Sequence, residues 1–248
     1  MNKWYFISLL FLLSSCDDES GRNAYFVSGY YRADVKRASA EYFQMSEDGN
    51  IIHDEEAIVS LIFDGANIEM VNTIANTYEV NAENFILSNN HIDVEINSGI
   101  KLYSSAEVPP PLTILDSGNT TISIDPGQPG EEVFDLSWSQ LQGYSFLARL
   151  ECTEENPLEI PFASGGGFFE TTFERPFVES GMLIYSSDFK FYGAHKLTVF
   201  VIENRYADLF FIRNGSLGFI TVEGPDNVQN GKGFWTAVNA YEMDLLVQ

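Results

Sequence analysis

The chain has 248 residues, with 36 acidic residues against 13 lysines and arginines, so its formal net charge is −23. Nucleic-acid binding needs a basic surface that neutralises phosphates, and this composition argues against it. The same charge argues against adhesion to anionic lipid through surface residues. A hydrophobic content of 45% and an aromatic content of 14% are typical of a globular chain with a packed core.

The N-terminus has the pattern of an export signal. Lys3 supplies a positive charge, and residues 4–13 form an apolar run that is too short to span a bilayer. The sequence Leu13-Ser14-Ser15-Cys16 resembles the lipobox of bacterial lipoproteins. This resemblance implies that residues 1–15 are a signal peptide and that Cys16 becomes a lipidated N-terminus. An ordinary secretory signal with a chance cysteine is the alternative.

Three acidic residues directly follow this cysteine: Asp17, Asp18 and Glu19. They resemble the export signal of Bacteroidota lipoproteins, which implies a lipid-anchored protein on the outer face of the outer membrane. A merely solvated tether over residues 16–24 is the other interpretation, because acidic and small residues rarely fold by themselves. The expected membrane contact is the lipid anchor, since each buried acyl methylene contributes about 0.8 kcal/mol.

Residues 25–110 are predicted to form an N-terminal β domain. The clearest strand is His91–Ile96, in which apolar and polar residues alternate as they do in a half-buried strand. Ser98-Gly99 predicts a turn, and Lys101–Ser105 is the expected partner strand. The proline run at 109–111 cannot join a sheet ladder, so it predicts the domain boundary.

Residues 111–248 are predicted to form a C-terminal β-sandwich domain. Its expected strands include Glu132–Trp138, Tyr144–Cys152, Gly181–Tyr185 and Lys196–Glu203. Lys196–Glu203 is apolar or β-branched on both faces, which predicts a central strand. Trp138 resembles the core tryptophan of immunoglobulin- and fibronectin-like sandwiches. The predicted fold class is therefore all-β, with two β-sandwich-like domains of immunoglobulin or transthyretin type.

One segment near the C-terminus departs from the strand pattern. Four residues stand at helical spacing: Tyr206, Leu209, Phe210 and Arg213. Asn204 is a favourable residue for the start of a helix, and Gly215 is a favourable residue for its end. We therefore predict one short helix over Glu203–Arg213.

The run from Asn227 to Val238 resembles the closing motif of a family of Bacteroidota lipoproteins, the domain-of-unknown-function family numbered 4249. Membership would imply a β-rich surface lipoprotein that works beside an outer-membrane transporter. Gly231 and Gly233 flank Lys232 and predict a turn. A phosphate-binding loop is disfavoured, because neither a Ser or Thr nor a helix start follows Lys232.

No catalytic residues, metal ligands or cofactor motif can be assigned from this sequence. His53, His91 and His195 lack a metal-binding spacing. Cys152 would be unpaired once Cys16 is lipidated, and its apolar surroundings predict a buried, unreactive side chain.

Four aromatic residues offer surfaces on which a sugar ring can stack: Trp138, Trp235, Tyr30 and Tyr31. For the two tryptophans, core packing is the preferred prediction.

Two functions from different classes remain. The preferred hypothesis is a surface-exposed outer-membrane lipoprotein that acts as a non-catalytic binding or transporter-accessory module. Its expected partners are an outer-membrane transporter or an extracellular glycan or peptide. The alternative is an extracellular glycan hydrolase. An exposed aromatic strip would favour binding, and a cleft with two carboxylates about 5–10 Å apart would favour hydrolysis.

Overall fold

The structure is a computed structural model that describes residues 24–52, 54–74, 76–84, 90–125, 128, 130–160, 170–177, 180–213, 216–219 and 224–248. The predicted lipidation and export residues Cys16, Asp17, Asp18 and Glu19 lie outside these ranges, as does His53. Within these ranges, no helix is long and apolar enough to cross a bilayer.

Strands dominate the described ranges, which confirms the all-β fold class. In the first half they are β1 (Ala24–Arg32), β2 (Arg37–Met45), β3 (Ile51–Ile52), β4 (Ile58–Phe63), β5 (Ala66–Glu69), β6 (Val71–Ile74), β7 (Thr77–Asn81), β8 (His91–Asn97) and β9 (Lys101–Glu107). In the second half they are β10 (Ile114–Asp116), β11 (Thr121–Ile122), β12 (Glu132–Trp138), β13 (Tyr144–Cys152), β14 (Glu170–Phe177), β15 (Gly181–Tyr185), β16 (Gly193–Glu203), β17 (Phe210–Arg213), β18 (Ser216–Phe219) and β19 (Lys232–Val247).

The long strand β19 takes part in both halves of the structure. Its residues 232–238 pair in parallel with β1, and its residues 238–247 pair antiparallel with β16. A single sheet therefore runs β14-β13-β16-β19-β1-β2-β7-β6. Strands from both predicted domains share this sheet, while the predicted boundary between residues 110 and 111 stays a prediction. Asn239 on β19 donates its side-chain amide to the Pro109 carbonyl at 3.1 Å, which ties the proline run to the shared strand.

The first sandwich packs the β1-β2-β7 end of this sheet against a second sheet, β5-β4-β8-β9. β8 and β9 pair antiparallel around the predicted turn, and the apolar residues of β8 face the core. Trp235 of β19 is fully buried in this core, and its Nε1 donates to the Ile92 carbonyl of the facing sheet at 3.1 Å.

A glycine beside this tryptophan lets strands β1 and β2 approach closely. Gly29 stands opposite Trp235 on one side and Ala40 on the other. A Cβ atom at Gly29 would lie 2.5 Å from the Ser39 carbonyl oxygen and 2.8 Å from the Ala40 Cα. Along the row Trp235–Gly29–Ala40, one large side chain is followed by two small residues. The close backbone of β2 leaves no space for a side chain at position 29.

The second sandwich packs β13, β16 and the end of β19 against the sheet β10-β12-β15. Trp138 lies between these sheets with no exposed surface, 5.0 Å from the Phe146 ring between centroids. This agrees with its predicted core position. β16 lies between β13 and β19, which confirms that Lys196–Glu203 belongs to a central strand.

The predicted helix over Glu203–Arg213 is only partly correct. A 3₁₀ helix covers Asn204–Leu209, and Phe210–Arg213 is strand β17, paired with β18. Asn204 is not the cap; it lies inside the helix, where its Oδ1 accepts a hydrogen bond from the Ser145 hydroxyl at 2.7 Å. The spacing of Tyr206 and Phe210 satisfies a helical pattern, yet both rings pack into a third hydrophobic cluster with Phe234.

The glycine motif forms a turn, as predicted. Asn230 has φ 63° and Gly233 has φ 107°, which are both left-handed conformations. The Asn227 side chain clamps the strand that follows, because it donates to the Trp235 carbonyl at 2.7 Å and accepts from the Trp235 amide at 2.8 Å. The motif therefore sets the position at which β19 enters the first sandwich.

Candidate functional site

An open cleft of about 780 Å³ lies on the outer face of the first sandwich. Its floor is the face of β1, β2 and β7 that points away from the first core, and β18 lines it from the side. We call this feature the strand-face cleft. It is lined by Tyr30, Arg32, Val35, Arg37, Ala38, Ser39, Glu41, Thr73, Glu79, Val80, Asn81, Leu217, Gly218 and Phe219.

Strand alternation places the polar side chains of the floor on one face. On β2, Arg37, Ser39 and Glu41 share this face, while Ala38, Ala40 and Tyr42 lie in the first core. Strand pairing then arranges the floor in three rows, which are Arg32–Arg37–Asn81, Tyr30–Ser39–Glu79 and Ser28–Glu41–Thr77. Neighbouring rows are about 7 Å apart, because a strand rises about 3.4 Å per residue.

The β17–β18 hairpin forms the wall and is held by Tyr30. The Tyr30 hydroxyl donates to the Leu217 carbonyl at 2.6 Å, which joins the floor to β18. The Tyr30 ring makes edge contacts with Phe210 at 5.6 Å and Phe219 at 6.3 Å between centroids. Burial raises the pKa of Tyr30, so the phenol keeps its proton and remains the donor at neutral pH.

The first row of the floor carries two arginines directly opposite each other. Arg32 pairs with Asp34 and lies 5.1 Å above the Phe200 ring, so its guanidinium is held from two sides. Arg37 is exposed and forms no ion pair with any residue that the structure describes. Arg37 is therefore the cation of the cleft that is open to a ligand.

The second and third rows carry two carboxylates. Glu79 is exposed on β7, and Glu41 is half-buried on β2. Burial raises the pKa of Glu41, because desolvation disfavours its charged form. Glu41 and Glu79 are diagonal neighbours, since Ser39 is the residue that faces Glu79. Such neighbours stand about 7–8 Å apart. The cleft thus has a basic end in its first row and an acidic end in its second and third rows, and Tyr30 lies in the same row as Glu79.

The structure places the aromatic residues named from the sequence in two settings. Trp138, Trp235 and Tyr31 are buried in the cores, so none of them offers a ring to a ligand. Tyr30 alone of the four lines the cleft.

His91, His195 and Cys152 are not part of the cleft. His91 lies on β8, and His195 is buried on β16 beside the Phe189 ring. Cys152 is a free thiol whose pKa is raised mainly by burial. Across the described ranges, no group of three or more histidine, cysteine, aspartate or glutamate side chains could hold a metal ion.

Sequence reasoning missed Arg32, Arg37, Glu41 and Glu79. A signal was present at Arg37–Tyr42, where polar and small or aromatic residues alternate as in a half-buried strand. This alternation identifies Arg37, Ser39 and Glu41 as one polar face. It does not identify the hairpin that stands beside this face, because β18 is more than 170 residues away in the chain.

Comparison with known proteins gives little additional information. No protein-family model matches this chain, and no curated protein matches it. Among solved structures, the chain is similar to a crystal structure of a Salmonella alpha-2-macroglobulin mutant, with 10% identity and a TM-score of 0.26. The match covers 95% of this chain but 15% of that chain, so this chain spans less than a sixth of its neighbour. A TM-score this low carries no argument about function.

Proposed function

We propose that this protein is a surface-exposed outer-membrane lipoprotein that acts as a non-catalytic binding module. Two sequence features support the location: the lipobox ending at Cys16 and the acidic residues Asp17, Asp18 and Glu19 behind it. An anchor of this kind keeps a ligand-binding domain at the membrane, because two or three acyl chains hold a protein firmly in a bilayer.

The strand-face cleft is the observation that carries the binding role. Its volume of about 780 Å³ lies within the range of about 300–1,000 Å³ that is typical of small-molecule sites. Its floor is built on paired strands, so the positions of Arg37, Ser39 and Glu41 are fixed by the backbone ladder. Rigid strands with charged groups and aromatic rings at one concave surface are suited to selective capture of a ligand.

A binding test follows directly from the charges of this cleft. The purified protein is titrated with panels of extracellular glycans and peptides, and any ligand found is titrated again with Arg37→Gln. Loss of binding in this variant is the expected result, because Arg37 is the exposed cation of the cleft. Lys196→Gln is the matched control, since it also removes one positive charge. Lys196 lies on β16, pairs with Glu242 at 3.2 Å and does not line the cleft. Unchanged affinity in Arg37→Gln would contradict the cleft as the site.

An accessory role beside an outer-membrane transporter is the second form of this proposal. It rests on the resemblance of the run from Asn227 to Val238 to the lipoprotein family numbered 4249. Crosslinking in intact cells, followed by purification of the protein, is the test. A transporter among the crosslinked partners is the expected result, and its absence under conditions that capture other envelope proteins would contradict the accessory role.

A glycan hydrolase is the alternative that one observation favours. Glu41 and Glu79 line the same cleft as diagonal neighbours whose Cα atoms stand about 7–8 Å apart, so their carboxyl groups can approach the separation that a glycosidase uses. Inverting glycosidases hold their two carboxyl groups about 6.5–9.5 Å apart, one as the acid and one as the base. The pKa of Glu41 is raised by burial, which is the direction that a general acid requires.

Product release separates the two functions. If the protein is a hydrolase, extended incubation with its glycan gives products, and Glu41→Gln and Glu79→Gln each abolish them while far-UV circular dichroism stays unchanged. If it is a binding module, the same incubation gives saturable binding without products. We expect the second result, because no catalytic motif can be assigned from the sequence.

A further inference from the structure

The strand-face cleft is dipolar, and the arrangement of its charges restricts the chemistry of its ligand. Arg32 and Arg37 stand at the end of the floor next to the turn between β1 and β2. Glu79 lies one row further along the floor from the arginines, and Glu41 lies two rows further. Among the described residues, no ion pair joins these glutamates to these arginines.

The basic end is incompletely compensated. Like charges that face each other across a strand pair destabilise a sheet, and Arg32 and Arg37 face each other in this way. Asp34 compensates Arg32 only. An anionic group bound to Arg37 would supply the second compensating charge, and a carboxylate fits a guanidinium with two parallel hydrogen bonds.

The acidic end of the cleft calls for a positively charged group on the ligand. Glu41 is half-buried, and desolvation alone is the cause of the upward shift of its pKa. A cationic ligand group would stabilise its charged form and would meet Glu79 on the same face. An anionic glycan such as a uronate oligomer satisfies the arginine but leaves this end uncompensated.

The distances between the two ends define the length of the ligand. Arg37 and Glu79 are diagonal neighbours whose Cα atoms stand about 7–8 Å apart. Arg37 and Glu41 are four residues apart on β2, which is about 14 Å along the strand. An extended chain spans about 3.3–3.6 Å per residue, so two to four residues separate charges by these distances. Tyr30 and Phe219 also line the cleft and offer apolar contact to a side chain of the ligand.

We propose that the strand-face cleft binds a short peptide of two to four residues, with its C-terminal carboxylate on Arg37 and its N-terminal ammonium on Glu79 and Glu41. This inference rests on the proposed binding function and specifies its ligand class. A free peptide is dipolar at neutral pH because both of its termini are charged. A neutral sugar or a purely anionic one lacks the second charge.

The test is calorimetric titration of the purified full chain with the tripeptide Ala-Phe-Ala. Two derivatives of this probe, its C-terminal amide and its N-acetyl form, each remove one terminal charge. We expect saturable binding of the free tripeptide and an affinity about 10- to 100-fold weaker for each derivative, since each loses a charge-assisted contact. These comparisons use the unmodified protein, so they do not depend on the folding of any variant.

Variants then assign each terminus to its end of the cleft. In Arg37→Gln, amidation of the probe should no longer weaken binding, because the carboxylate has lost its partner. In Glu79→Gln, N-acetylation should have a smaller effect than in the wild type. Lys196→Gln is the charge-matched control and should bind all three peptides as the wild type does.

Three outcomes overturn the peptide assignment. The first is no binding of Ala-Phe-Ala at millimolar concentration, and the second is equal affinity for the free and amidated probes. The third is binding of trigalacturonic acid, but not of the tripeptide, that is lost in Arg37→Gln. The third outcome would refute the peptide and support the cleft as a binding site. If Arg37→Gln leaves every ligand found in the panels unaffected, the proposed function of the cleft fails as well.

Discussion

The two buried tryptophans allow a direct measurement of what one buried hydrogen bond contributes to this fold. Both side chains have no exposed surface, and each lies in the core of one sandwich. Trp235 Nε1 donates to the Ile92 carbonyl at 3.1 Å, whereas Trp138 Nε1 has no hydrogen-bond partner within the described part of the chain. Replacement by phenylalanine removes a similar volume from both cores, but it breaks a hydrogen bond only in the first.

We therefore expect Trp235→Phe to lower the free energy of unfolding more than Trp138→Phe does. The loss of packing is common to both variants. Trp235→Phe also removes the hydrogen bond from Nε1 to the Ile92 carbonyl, and a typical intramolecular hydrogen bond contributes about 0.5–1.5 kcal/mol. Trp138→Phe removes a buried N–H group that is already unpaired, so its hydrogen-bond term is near zero or favourable. The expected difference between the variants is about 0.5–1.5 kcal/mol.

Urea unfolding followed by far-UV circular dichroism gives the two free energies. Fluorescence adds a second measurement, because Trp138 and Trp235 are the only tryptophans after residue 15. Each variant then keeps one tryptophan, which reports on one sandwich. Coincident fluorescence and dichroism transitions would show that the two sandwiches, which share strand β19, unfold together. Equal destabilisation by the two variants, or a larger effect of Trp138→Phe, would refute the hydrogen-bond reasoning.

Four further predictions concern the anchor, the wall of the cleft and the core. Cys16→Ala should abolish fatty-acid labelling and membrane retention, and replacement of Asp17, Asp18 and Glu19 by alanine should remove protease accessibility in intact cells while labelling persists. Tyr30→Phe should speed hydrogen exchange in β17 and β18, because the hairpin loses the 2.6 Å bond to Leu217, and exchange equal to the wild type would contradict this. Burial lowers the pKa of His195 below its ordinary 6.5, so on acidification this side chain is protonated in the unfolded chain before it is protonated in the folded chain. The free energy of unfolding therefore falls as the pH drops below about 6.5. The wild type should therefore lose more stability between pH 7 and pH 5 than His195→Gln, and equal losses would contradict the assignment.

The strands that sequence reasoning predicted best are those whose information is local. Glu132–Trp138, Tyr144–Cys152 and Gly181–Tyr185 have the same bounds in the structure as in the prediction. In these segments, alternation or an apolar run ends at turn residues, so the pattern and the backbone conformation agree. The Lys196–Glu203 prediction extends to Gly193 in β16, because His195 and Ala194 continue the pairing with β19.

The features that could not be predicted depend on contacts between distant residues. β1 and β19 pair in parallel although about 200 residues separate them, and no local pattern encodes that choice. The helix prediction over Glu203–Arg213 was too long for a related reason. The spacing of Tyr206 and Phe210 fits a helix, but it also fits a 3₁₀ helix that leads into a strand. The latter forms here, and both rings pack in one cluster around Phe234. Tertiary packing, rather than intrinsic propensity, decides the conformation there.

The cleft depends both on local sequence pattern and on contacts between distant residues. Its polar rows follow from the alternation of β2, but its concavity depends on β18 and on Tyr30, which links the two. Tyr30 was predicted as one of four aromatic residues for ligand stacking, and the structure distinguishes it from the other three through its position on the outer face of β1. Which aromatic residue is exposed is decided by the direction of each strand face, and this direction is fixed only when the partner sheet is known.

The position of the cleft also relates it to the proposed anchor. β1 begins at Ala24, so seven residues, Asp17–Asn23, separate it from Cys16. Even when fully extended, this connection spans no more than about 29 Å. β1 then leads directly to Tyr30 and Arg32 in the floor of the cleft. If Cys16 carries lipid, the strand that builds the cleft starts within a short distance of the bilayer. A ligand bound in the cleft would then be held near the membrane surface, which is where the proposed binding module would act.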